Sequence, residues 1–246
     1  MLNLLRFHTL LCKMNSEIAI SCFLRLSTAI LSATEAIYTR PDEEDKIAQS
    51  GVGGCWTAAF FAFLISIAIE SRLPRVQKNI PFVIYYMYMF GACILYIGTL
   101  FFIRMPRSSD GIEGVPAENL WSGLWMFGGL ILMMSQLAVV VSARMNSLPF
   151  IFVVSNSLGA MGSFLYFMSG MFSTTEFINK KVFYFTAMYD WYMKTANVWI
   201  AASTFYMVHT ITLYFGLSQI DDETSSDDDG SNSTDKEHST AKEGSV

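Results

Sequence analysis

The chain has 246 residues, 52% of them hydrophobic and 15% aromatic, and carries a formal net charge of −5. A soluble domain of this length shows polar faces at a period of two or 3.6 residues. Here the apolar runs have no sustained polar face and reach or approach the roughly 20 residues that cross a hydrocarbon core about 30 Å thick. Because lipid cannot satisfy backbone N–H and C=O groups, such runs must be helices, and a soluble globular class is excluded. The expected fold is all-α: a polytopic transmembrane helix bundle of about six spans, followed by a disordered acidic C-terminal tail. The bilayer is the expected partner, with other membrane proteins or lipids beside it and no nucleic acid.

The charge is unevenly spread. Residues 221–246 hold nine Asp or Glu against two Lys, a local balance of −7, which leaves the rest of the chain at +2. All the excess acidity is in the tail.

The N-terminal segment, 1–17, begins "MLNLLRFHTLLCK" and lacks the charged start and small-residue cleavage site of a signal peptide. It reads as a retained piece at the membrane surface. The membrane domain covers 18–217, and its first span, 18–38, carries Arg25 and Glu35. Ten residues apart on one helix is about 15 Å, so these two cannot pair. Arg25 is expected to snorkel to one surface and Glu35 to reach toward the other.

The second span is 52–69, and the third, 81–103, opens at Pro81, where a proline costs no helical hydrogen bond. The fourth, 120–143, contains "MFGGLILMMSQLAVVV", apolar apart from Gln136. The fifth is 148–172 and the sixth 195–217; residues 182–193, "VFYFTAMYDWYM", read as an interfacial segment with Tyr and Trp at headgroup depth. With six spans both termini share one side. The short basic turn "ESRLPRVQK" places that side in the cytosol.

An unpaired amide in hydrocarbon costs several kcal/mol, so Gln136 should face another helix rather than lipid. Its plainest role is an interhelical hydrogen bond; the sharper reading is a contact on a substrate or ion path. Asn156, Asn197 and His209 are the expected partners, or the fellow lining residues of such a path. Ala58, Ala62 and Ser66 recur every four residues, as do Ser155, Gly159 and Ser163, and each series is expected to form a flat stripe for close helix packing.

Cys12, Cys22, Cys55 and Cys93 form no CxxC and do not pair with His at metal-ligand spacing. They read as small buried side chains, with no disulfide framework and no metal or cofactor expected. HExxH, GxSxG and a phosphate-binding glycine loop are missing, so no catalytic residue is assigned and an enzyme is not expected. The tail, 218–246, is acidic, rich in Ser and Thr and free of aromatics, and cannot bury enough surface to fold. Thr224, Ser225 and Ser226 each have Asp three residues on, a context acidophilic kinases prefer, and are candidate phosphorylation sites.

Phe127-Gly128-Gly129, with Gln136 seven residues on, resembles the fourth span of the damage-regulated autophagy modulator (DRAM) family and its Frag- and Sfk-type relatives. Ser50-Gly51-Val52 is similar to the family's opening of the second span, and Trp199 and Phe205 to its sixth. Val198 stands where that family tends to carry Glu, and the first loop keeps only Pro41 and Asp42 of its usual turn and paired prolines. The resemblance implies a non-enzymatic regulator or accessory factor of the lysosomal, endosomal or plasma membrane, linked to autophagy or membrane-lipid processes. The alternative from a different class is a small transporter or channel, with Gln136, Asn156, Asn197 and His209 lining a polar path.

Overall fold

The structure is a computed structural model. It describes the backbone of 2–38, 48–103, 115–179 and 197–220, and the side chains of 16–34, 57–100 (Arg75 excepted), 122–171 and 197–220. Thr224, Ser225, Ser226, the acidic tail, the segment 182–193 and the side chains of Glu35, Cys12 and Cys55 lie outside the described residues.

All described secondary structure is helical: α1 (Leu2–Tyr38), α2 (Ala48–Glu70), the short α3 (Pro74–Asn79), α4 (Phe82–Ile103), α5 (Val115–Met145), α6 (Phe150–Asn179) and α7 (Asn197–Ile220). Five of these contain stretches long and apolar enough to cross a membrane: Ser16–Thr34, Phe82–Leu100, Ser122–Met145, Phe150–Met171 and Asn197–Ile220. Helix α2 has 23 residues, and its described side chains cover the apolar Thr57–Glu70. The protein is an integral membrane helix bundle.

Local sequence sets where the helices stop. Ser147 has φ 54°, the left-handed conformation that closes a helix, and the Leu148 N–H reaches back to the Ala143 carbonyl at 2.9 Å. Proline then starts the next helix twice over. Pro81 and Pro149 immediately precede α4 and α6, and their carbonyls accept from Ile84 and Phe152 at 3.0 Å each. The two turns are joined to each other, because Asn146 Nδ2 donates to the Asn79 carbonyl at 2.5 Å.

Helices α1, α2, α4, α5 and α6 pack in that order, each against the next. Helix α7 continues the series: Gly216 lies against the Phe152 backbone and Gly162 against the Tyr206 ring. Arg25 on α1 meets His209 on α7 and closes the ring. Up-and-down connectivity brings Ser16, the turns 71–81 and 146–149, and Ile220 to one end of the bundle.

In lipid, helices associate through close packing and polar contacts rather than hydrophobic burial. Two glycines show this at the α5–α6 contact. A Cβ on Gly129 would come within 2.6 Å of the Phe167 backbone nitrogen, and one on Gly170 within 2.6 Å of that of Met126. Only the missing side chains let these backbones touch. The expected stripe Ser155, Gly159, Ser163 is buried as a packing face of α6. The α2 stripe is different: Ser66 is buried, but Ala58 is exposed and Ala62 half-buried. The packed face of α2 instead runs through Ala59, Phe63, Ser66 and Glu70, because large aromatic knobs fill that interface.

Candidate functional site

Six long helices turn polar groups toward a common centre, and the strongest of these is Arg25. Its side chain is 1% exposed and forms an ion pair with Glu70, the last residue of α2. The Tyr85 hydroxyl on α4 donates to the other carboxylate oxygen at 2.8 Å. Arg25 Nε donates to Ser66 Oγ at 3.1 Å, and Ser21 on α1 bonds the same hydroxyl at 3.0 Å. The guanidinium carbon lies 5.6 Å from the Phe63 ring centroid and 5.7 Å from that of Tyr88, within cation–π range.

This corrects the expectation that Arg25 snorkels to a surface. Snorkelling wins when the bilayer offers no partner, and here α2 offers two, Ser66 and Glu70, one helical turn apart on one face. Glu70 fell one residue beyond the expected second span, so the acid at the heart of the site went unread. A polar residue at i and i+4 on each neighbour, Ser21 and Arg25 opposite Ser66 and Glu70, was the available signal.

His209 is fully buried and placed by two helices at once. Arg25 Nη1 lies 3.0 Å from His209 Nε2. A guanidinium only donates, so Nε2 accepts and the ring proton sits on Nδ1. Nδ1 donates in turn to the Ser155 carbonyl at 2.8 Å, while Ser155 Oγ donates to the His209 carbonyl at 2.8 Å. These reciprocal bonds lock α6 to α7.

Gln136 faces the interior, as the cost of a bare amide requires. Its Nε2 donates to the Tyr88 hydroxyl at 2.8 Å, and its Oε1 accepts from Ser163 Oγ at 2.7 Å. Ser163 is also 2.5 Å from the Tyr206 hydroxyl, so the chain of bonds crosses α4, α5, α6 and α7. The expected partners divide. Gln136 and His209 share a floor, since a Cβ on Gly159 would meet the Gln136 amide and, at 3.2 Å, His209 Cε1. Asn156 is buried but returns its amide to the Phe152 carbonyl of its own helix at 3.0 Å. Asn197 is exposed at the start of α7. Neither bonds Gln136.

A cavity of about 10 Å³ lies on the bundle axis, with Arg25, Phe63, Leu95, Leu132, Tyr166 and Tyr206 in its wall, one from each long helix. That is about the room for one water molecule. Toward the opposite end Phe60, Trp125, Tyr166 and Trp199 close the axis with tilted and edge-to-face contacts, ring centroids 4.9–6.5 Å apart. The arrangement can hold a charged pair in a dry setting, bind water-sized guests and tie six helices together. Cys22 is buried and Cys93 half-buried, and both are free thiols. Among the described residues no three His, Cys, Asp or Glu side chains converge as a metal site would require. No known protein family, curated protein or solved structure matches the chain.

Proposed function

We propose that the chain is a non-enzymatic regulator or accessory factor of autophagy, lysosomal or membrane-lipid processes, resident in a lysosomal, endosomal or plasma membrane, as its DRAM-like residues imply. One observation carries the non-transport part of the reading. The central polar side chains are committed to each other, with Gln136 held between Tyr88 and Ser163 and Arg25 between Glu70, Ser66 and His209. Groups so engaged hold a bundle in one shape and present its outer faces to lipid or to a partner helix. Phe82, Tyr86 and Phe90, exposed at every fourth position of α4, are such a face.

The termini then face the cytosol. Arg72, Lys78 and Arg144 are exposed at the end of the bundle where α1 enters and α7 leaves, which favours the cytosolic side. Proximity labelling from both termini in cells tests compartment and neighbours together. Autophagy, endolysosomal or lipid-handling proteins are the expected neighbours, and a secretory-pathway lumenal set would overturn the reading.

A small transporter or channel is the second reading, favoured by the axial cavity with a guanidinium in its wall. Flux assays in liposomes separate the two. The first reading expects no movement of ions, amino acids or lipid. Flux that Gln136→Leu abolishes while the fold survives would establish the second.

A further inference from the structure

At one end of the bundle three cations stand exposed: Arg72 after α2, Lys78 in α3 and Arg144 in the last turn of α5. They belong to one surface rather than to separate loops, because the Asn146–Asn79 hydrogen bond clasps their two turns together. Among the described residues opposing charge is scarce, since Glu70 is buried in its ion pair and Glu17 is the exposed acid on the adjoining stretch of α1.

Helix α7 ends beside this surface. Gly216 rests on Phe152, and Arg144 lies 5.6 Å from the ring centroid of Phe150, so the last turn of α7 and Arg144 flank the same start of α6. Immediately beyond Ile220 the sequence reads "DDETSSDDD", six acids in nine residues. Nine extended residues reach about 30 Å, roughly the width of a six-helix bundle.

We propose that the acidic segment 221–229 docks on the basic end surface formed by Arg72, Lys78 and Arg144. Tethering supplies the segment at an effective concentration near the millimolar range. Its acids complement the cations one for one and more, so docking turns a positive end surface negative. Phosphate added to Thr224, Ser225 or Ser226 falls inside the docking stretch and strengthens the contact by supplying further acceptor oxygens. The docked segment would keep anionic lipid headgroups and acidic partners off this end of the bundle.

Carbodiimide coupling of the full chain in nanodiscs of zwitterionic lipid tests the contact. The reagent joins a lysine amine to a carboxylate in direct contact, and mass spectrometry locates the bond. Lys78 is expected to couple to acids within 221–229 at low salt. The yield should fall roughly threefold or more at about 0.5 M NaCl, where charge is screened within a few ångströms. It should fall likewise in Arg72→Gln/Arg144→Gln. The proposal is overturned if Lys78 gives no such adduct while Lys236 and Lys242 couple normally, or if salt and the double variant leave the yield unchanged. Loss of the adduct on adding phosphatidylserine to the nanodisc would also overturn it, since headgroups would then hold the surface.

Discussion

Arg25 and Glu70 form an ion pair between α1 and α2 in which neither side chain is more than 2% exposed. Such a pair contributes little net stability over a well-packed apolar pair, yet breaking it leaves a lone charge in a dry place. Glu70→Leu should therefore destabilise the bundle by about 3–5 kcal/mol. Arg25→Met/Glu70→Leu should recover most of that loss. Thermal unfolding of the two variants in detergent, followed by helical circular dichroism, checks this. Equal melting of the single and the double variant would show that the charges are not coupled.

Gln136→Leu removes two interhelical bonds and leaves the Tyr88 and Ser163 hydroxyls to find other partners. A loss of about 0.6–2 kcal/mol is expected, the usual range for polar contacts between membrane helices. Denaturation in mixed micelles reads the change. A variant that unfolds in the membrane would mark Gln136 as far more central than its bonds imply.

Glycines separate packing from propensity. Gly129→Ala places a methyl group against the α6 backbone, which has no flexible end to give way, and should cost about 1–3 kcal/mol. Gly123 has nothing within 4 Å of its would-be Cβ on the same helix. Gly123→Ala should be neutral or stabilising by up to about 1 kcal/mol. Parallel melting curves of the two variants decide the matter.

Topology offers a separate check. Asn232-Ser233-Thr234 is an acceptor sequon in the tail. With cytosolic termini it stays unmodified, so glycosidase treatment of the native protein should leave its gel mobility unchanged. A mobility shift would invert the orientation.

What could be read from sequence divides along a physical line. Span length and apolarity are properties of one segment, so the helices appear near their expected positions and Gln136 is turned inward as its desolvation cost demands. Partner choice depends on the register between segments. Nothing within 18–38 reveals that Arg25 stands opposite Ser66 and Glu70, and the general habit of arginine to reach for water pointed the wrong way. Asn156 failed as a partner for a related reason: its amide reaches a carbonyl of its own helix without waiting for a neighbour. His209 could be anticipated as a packed, hydrogen-bonded histidine, but its link to α1 could not.

The axial cavity bears on how the molecule can move. Every long helix contributes a wall, and Ala29 lines it with a single methyl group. A tilt or slide of any one rod therefore changes the space beside the guanidinium that the other five also border. A side chain enlarged at Ala29 would therefore act as a wedge pressing on walls drawn from all six long helices.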